Sequence, residues 1–330
     1  MDLPLIWGGI IAFSLMMYVI LDGFDLGVAL LFPIFHDKHD RDMMVSTVLP
    51  VWDGNETWLV MGAASLYGAF PIAYSTILPM FYLPVFIMLA ALVFRGVSFE
   101  FRFKAKSTRW IWDSLFFLGS FVAAFVQGIL LGAFVKGVQL PAAGMPPTYQ
   151  WISLYSAFCG ITAVFCYMLM GATWLIRKTE NKLRNQLYHT IKWIIAISAI
   201  LLFIMSVWTL VIDPYIKPLW LTTDRMPFMF IIPFLAFVAF CLLLYGVFKK
   251  IDRLPFFMTI LVFFFVYIGF IINVWPYAIP RVLTFREAAS PPMSQGFMLI
   301  GAIILLPILL FYTFYSYYIF RGKVKDVHEY

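Results

Sequence analysis

LIWGGIIAFSLMMYVILDGFDLGVALLF, residues 5–32, is an apolar run broken only by two aspartates, Asp22 and Asp25. At 1.5 Å per residue it is longer than the roughly 30 Å hydrocarbon layer of a bilayer, and it reads as a membrane span. The preceding MDLP lacks the basic region of a secretory signal, so this run is expected to stay in place as the first helix. Comparable runs follow at about 51–70, 73–95, 111–135, 150–176, 190–212, 227–248, 255–279 and 296–320. With 63% hydrophobic and 12% charged residues, the 330 residues read as one all-α integral membrane domain of nine transmembrane helices. Helices are required because lipid cannot satisfy an open backbone.

The basic residues orient the chain. Lys38, Arg41, Arg95, Arg102, Lys104, Lys106, Arg109, Arg177, Lys178, Lys182, Arg184, Lys249, Lys250, Arg253, Arg321, Lys323 and Lys325 fall on one side of a nine-span scheme. The opposite side has Lys136, Lys217, Arg225, Arg281 and Arg286, and Lys192 sits just inside a helix start. The bias places the N-terminus outside and the C-terminus in the cytoplasm. The net charge of +6 is thus a topology signal and carries no implication of nucleic-acid binding.

This orientation brings acids together at the cytoplasmic face. Asp22 lies about 25 Å below the start of the first span, and Asp25 deeper. Asp53 and Glu56 open the second span, Glu100 follows the third and Asp113 opens the fourth. Asp22 with Asp25, and Asp53 with Glu56, are spaced i,i+3 and share a helix face. An acid at mid-bilayer costs roughly 2.5–3.5 kcal/mol, so each must line water, reach an interface or find a partner. Helix capping by Asp53 and Asp113, or neutralisation of Asp22 or Asp25 by Arg95, would be purely structural. As a group, intramembrane acids mark proton or ion paths. Gly23 with Gly27, and Gly128 with Gly132, form G-x-x-x-G faces that argue helix contact.

Other chemistries find little support. His36 and His39 are placed in a loop, His189 at a helix edge and His328 in the tail, so no histidine pair faces inward to hold a heme. Cys159, Cys166 and Cys241 lie inside spans as small core residues. No phosphate loop, cysteine-rich metal spacing or nucleophile triad is present.

LDGFDLG (21–27), WDGNETWLV (52–60), FRGVSFEFR (94–102), WDSLFFLGSF (112–121), WPYAIP (275–280) and SPPMSQGFMLIGAIILLPILLFYTFYSYYIFRGKV (290–324) resemble subunit II of the cytochrome bd quinol oxidases, in order and from first helix to last. The short chain is similar to the cyanide-insensitive branch. The resemblance implies two four-helix bundles plus one peripheral helix, in a bacterial cytoplasmic (inner) membrane. It implies a heterodimer with a heme-bearing subunit I that holds hemes b558, b595 and d and the quinol site, with a small accessory membrane subunit left open. The holoenzyme would oxidise quinol and reduce oxygen to water with cytoplasmic protons, and this subunit would bind no heme itself.

Carried over residue by residue, the family's acidic pair falls on Asp22 and Asp25, and its W-D-G-N motif on Trp52, Asp53, Gly54 and Asn55. The resemblance implies proton transfer by Asp25 and Asp53 foremost, helped by Asp22, Glu56 and Glu100. Arg95 would be the counter-charge and Arg102 a looser one, with Trp52 and Asn55 as hydrogen-bonding support. One departure is RVLTFREAA (281–289), where Arg286 and Glu287 replace the family's Trp-Asp. The alternative class is a proton-coupled secondary transporter or channel using the same acids, with Pro79, Pro84, Pro233 and Pro307 breaking helices.

Overall fold

The structure, a computed structural model, describes residues 2–137, 149–212, 214–221 and 226–324. Most of the outer stretch 139–150, together with Arg225, Lys325 and His328, lies outside the described residues. The chain forms α1 (Leu3–Leu30), α2 (Lys38–Ser46), α3 (Trp52–Ala69), α4 (Pro71–Lys104), α5 (Arg109–Lys136), α6 (Leu154–Lys178), α7 (Asn181–Ile212) and α8 (Ile216–Leu221). It continues through α9 (Met226–Phe248), α10 (Leu254–Val274), β1 (Tyr277–Ile279), β2 (Leu283–Thr284), α11 (Phe285–Ala288) and α12 (Pro292–Ile319).

Among the described residues, eight helices are long and apolar enough to cross a membrane: α1, α4, α5, α6, α7, α9, α10 and α12. This is a multi-pass, all-α membrane protein. The expected second span, 51–70, corresponds to α3, an 18-residue helix whose first turns carry Trp52, Asp53, Asn55 and Glu56 and so fall short in hydropathy. Its ends nevertheless meet the same neighbours as those of α1 and α12. At one end Ser290 N and Gln295 Nε2 donate to Ala69 O at 2.8 and 3.2 Å, and Trp7 Nε1 donates to Gln295 O at 3.2 Å. At the other, Asn55 Nδ2 donates to Leu21 O at 3.1 Å and Tyr317 OH donates to Asn55 Oδ1 at 2.9 Å. Thus α3 runs antiparallel to both.

Several boundaries differ from the expected spans, for physical reasons. Apolar content marks only the part of a helix that lipid surrounds, while α4 continues to Lys104 and α7 begins at Asn181. In α7 the added turns bury Leu183, Leu187 and Tyr188 against the core. Between Pro79 and Pro84, Phe81 leaves helical geometry (φ −116°, ψ 15°), because each ring removes an N–H and crowds the preceding turn. At the far end α10 stops at Val274 rather than near 279, since the residue before Pro276 is driven to extended geometry. The antiparallel pair β1–β2 follows.

Small residues set the helix spacing where α1 meets α6. A Cβ on Gly27 would collide with Tyr167 O, and one on Gly171 with the Gly27 backbone. Close approach of the two backbones is what such residues permit in lipid. Beside this contact Phe24 stacks on Trp174 with ring centroids 4.2 Å apart. Outward faces of α7, α9 and α12 expose Phe203, Phe237, Phe311 and Phe314.

Candidate functional site

The buried end of α1 is sealed by helix contacts, and its carboxyls therefore need partners from other helices. Asp22 and Arg95 are both fully buried, and Arg95 NH1 donates to Asp22 Oδ1 at 2.6 Å. The same guanidinium donates through NH2 to Glu56 Oε1. Arg95 thereby joins α1, α3 and α4, as its fixed planar fork suits it to do. The Glu56 side chain retains 27% exposure, so the cluster opens to the protein surface along α3.

Asp25 has a different environment. Its Oδ2 accepts from Asn55 Nδ2 at 2.7 Å, and its contact is with a neutral amide rather than a cation. Asn55 is held in turn by Leu21 O and the Tyr317 hydroxyl, so all its hydrogen-bonding directions but one serve α1 and α12. Asp22 Oδ2, Asp25 Oδ1 and Arg95 Nε are buried with no protein partner. The three carboxyls Asp22, Asp25 and Glu56 are thus accompanied by one guanidinium, which pairs with Asp22 and Glu56 and leaves Asp25 to Asn55. A proton taken up by the cluster reduces its excess negative charge, which low dielectric makes costly.

Toward the middle of α1 a second buried thread crosses three helices. Gln127 Nε2 donates to Tyr18 OH at 2.9 Å, and Tyr167 OH donates to Gln127 Oε1 at 2.7 Å. Tyr18 stands one turn from Asp22 on α1.

The remaining expected residues are dispersed. Asp53 is exposed in the first turn of α3, away from Arg95. Glu100 is exposed and lies 3.7 Å from Lys104. A recess of about 290 Å³ lies between Leu49, Trp52, Phe99 and Glu100, and Trp52 stacks on Phe99 there with centroids 4.9 Å apart. Arg102 does not serve the acid cluster. It donates to Asp42 Oδ1 at 2.7 Å and Asp113 Oδ1 at 2.5 Å, while Arg41 NH1 donates to Asp113 Oδ2 at 2.9 Å and Arg109 pairs with Asp42. This second ionic group clamps α2 onto α4 and α5, and Asp113 belongs to it rather than to a helix cap.

Outside the membrane-spanning helices, Asp252 in the α9–α10 loop receives hydrogen bonds from Arg184 NH1, Tyr188 OH and Lys323 Nζ, each at 2.9 Å. Partial burial would raise its carboxyl pKa, but these donors outweigh it and hold the pKa below the usual carboxylate range.

Among the described residues His36, His39 and His189 are all exposed. Among the described residues no group of three metal-ligating side chains occurs. Arg286 NH2 instead donates to Asp2 Oδ2 at 2.8 Å, and Glu287 completes a capping box with Thr284. Arg286 and Glu287 therefore fasten the segment between α10 and α12.

A family described as cytochrome bd terminal oxidase subunit II matches residues 3–320. Similar proteins include the probable cytochrome oxidase subunit 2 of Haemophilus influenzae, 29% identical over 98% of this chain and 95% of that protein. The cytochrome bd ubiquinol oxidase subunit 2 of Bacillus subtilis is 29% identical over 97% and 96%. The cytochrome bd-I ubiquinol oxidase subunit 2 of Escherichia coli K12 is 26% identical over 98% and 95%. In three dimensions the fold resembles a chain of the bd oxidase from Geobacillus thermodenitrificans, with TM-score 0.74 and 17% identity, covering 94% of this chain and 96% of that one.

Proposed function

Since this chain belongs to the cytochrome bd terminal oxidase subunit II family, we propose that it works as the heme-free half of a quinol:oxygen oxidoreductase and carries part of its cytoplasmic proton path. It sits in the bacterial inner membrane beside a subunit I that holds hemes b558, b595 and d, which supply the oxygen chemistry. Quinol gives the electrons, and oxygen is reduced to water with protons from the cytoplasm. The exposed histidines support leaving all heme ligation to the partner.

In this reading α3 is a ninth span, the N-terminus lies outside and the C-terminus inside. The nine helices form two four-helix bundles, α1 with α3, α4 and α5, and α6 with α7, α9 and α10. The remaining helix, α12, is peripheral. The antiparallel course of α3 between the ends of α1 and α12 supports this arrangement.

One observation carries the proton path: a buried acid–arginine cluster at the cytoplasmic end that opens through Glu56. Asp53 and Glu100 collect protons at the surface. Glu56 passes them inward, and Arg95 holds Glu56 and Asp22 in place. Asp25 takes the proton at Oδ1, the oxygen that no protein group uses. Asn55 fixes the other oxygen and so the orientation of the carboxyl. Trp52 supports the recess below by stacking. Gln127 ends the thread above, because a side-chain amide does not relay protons as a hydroxyl or carboxyl does.

The test is to tag this chain, purify it gently and record a reduced-minus-oxidised spectrum with the co-purifying subunits identified. A chlorin band with b-heme bands, arriving with a larger subunit and lost without it, is expected. Hemes retained by this chain alone, or a colourless protein purifying alone, would refute the assignment.

A further inference from the structure

At the cytoplasmic ends of α6, α9 and α12 the cations outnumber the acids available to them. Glu180 and Asp252 are engaged by Lys323, at 3.6 and 2.9 Å, and Asp252 also by Arg184. Lys178 is spent on the chain end: its Nζ donates to Phe320 O and to Gly322 O, and Val324 N donates to Lys178 O at 2.9 Å. That leaves Arg177, Lys249, Lys250, Arg253 and Arg321 without a carboxylate partner among the described residues.

Arg177 is the best organised of these. Its guanidinium lies over three rings, with Cζ 4.9 Å from the centroid of Phe257, 5.4 Å from Phe256 and 5.9 Å from Trp174. Such a stack orients the fork and shields one face from water. Arg253, the residue before α10, stands one turn ahead of Phe257, the ring that Arg177 covers, so the two cations flank the same end of α10. A stacked guanidinium beside a second, exposed one, with the neighbouring acids already consumed, is electrostatically complementary to an anion.

The surroundings specify which anion. Phe257 and Leu261 are exposed one turn apart on α10, rising into the membrane from the ring under Arg177. Tyr245 and Phe248 are exposed on the adjoining α9. A phosphodiester at the guanidiniums would place attached acyl chains along this apolar track, whereas free phosphate would leave it unused. We propose that the Arg177–Arg253 corner binds an anionic phospholipid, with the phosphodiester between the two guanidiniums and an acyl chain against Phe257 and Leu261. The site is separate from the acid–arginine cluster and does not rest on the proton path.

The experiment is native mass spectrometry of the intact complex, titrated with phosphatidylglycerol or phosphatidylcholine in mixed micelles. Arg177→Gln/Arg253→Gln should bind phosphatidylglycerol about thirtyfold more weakly than the wild type, the scale of losing two interfacial charges. Lys106→Gln, on the same membrane face, should match the wild type, and phosphatidylcholine should bind all three weakly. Arg177→Lys/Arg253→Lys should retain more binding than the glutamine pair. The proposal is overturned if the glutamine pair binds normally, if the lysine pair falls as far, or if millimolar inorganic phosphate displaces the lipid completely.

Discussion

Arg95 NH1 stands 2.6 Å from Asp22 Oδ1 with both side chains closed to solvent. Because the same guanidinium also holds Glu56, one residue of α4 fastens both α1 and α3. Arg95→Gln would leave a buried carboxylate without its counter-charge, a loss of about 3–5 kcal/mol when one partner of such a pair is removed. The expected result is poor accumulation of the complex and a lower thermal midpoint. Adding Asp22→Asn should recover part of the loss, and equal midpoints for all three proteins would contradict the assigned pairing.

Tyr317 reaches Asn55 from 262 residues away in sequence, linking α12 to the Asn55–Asp25 pair. Tyr317→Phe removes the only donor to Asn55 Oδ1 among the described residues and should cost about 1–3 kcal/mol. Thermal unfolding of the purified complex measures it. The turnover rate should fall less than it does for Asn55→Leu, which also strips Asp25 of its hydrogen bond.

Gly27 allows α1 and α6 to touch backbone to backbone. Gly27→Ala should be destabilising by about 1–3 kcal/mol or more through overpacking, while Gly9→Ala, at a position with open space, should be neutral. Detergent stability assays on the two variants provide the comparison.

The Asp252 group predicts a pH dependence with a definite sign. Its carboxyl pKa is lowered in the folded protein, so its contribution is present above the unfolded carboxylate pKa of about 3.9 and disappears as pH falls through the lower folded value. Asp252→Asn imposes the protonated charge state at neutral pH. It should cost about 1 kcal/mol, which is roughly fivefold faster amide exchange in the α9–α10 loop. Below the folded pKa the variant and the wild type should exchange alike.

Membrane class, eight of the nine apolar spans and the pairing of Arg95 with Asp22 were readable from local pattern: long apolar runs, and charges too costly to leave alone. The glycine contacts were equally plain. Arg102 was not, because its partners depend on α2, a polar helix between spans that hydropathy passes over, and on Asp42 within it. Asp53 and Glu56 were expected to act together, but three helical positions differ by about 60° around the axis. That angle is enough to turn Glu56 to Arg95 and Asp53 to the surface. Tyr317, Gln127 and Tyr167 carried no local signal, since their roles arise only where distant helices cross. The family resemblance fixed the kind of complex, which the residues alone left open between an oxidase subunit and a transporter.

The most direct test of the proton path is stopped-flow proton uptake during single-turnover oxygen reduction by the fully heme-loaded complex, comparing Asp25→Asn and Asp53→Asn with the wild type. The account predicts slowed uptake and slowed oxygen consumption in both, with Asp25→Asn the more severe, since Asp53 shares its surface role with Glu100 whereas Asp25 offers a free inner oxygen on a carboxyl that hydrogen-bonds a neutral amide rather than Arg95. Wild-type rates in both variants would contradict it, and would leave this chain as a scaffold for its partner.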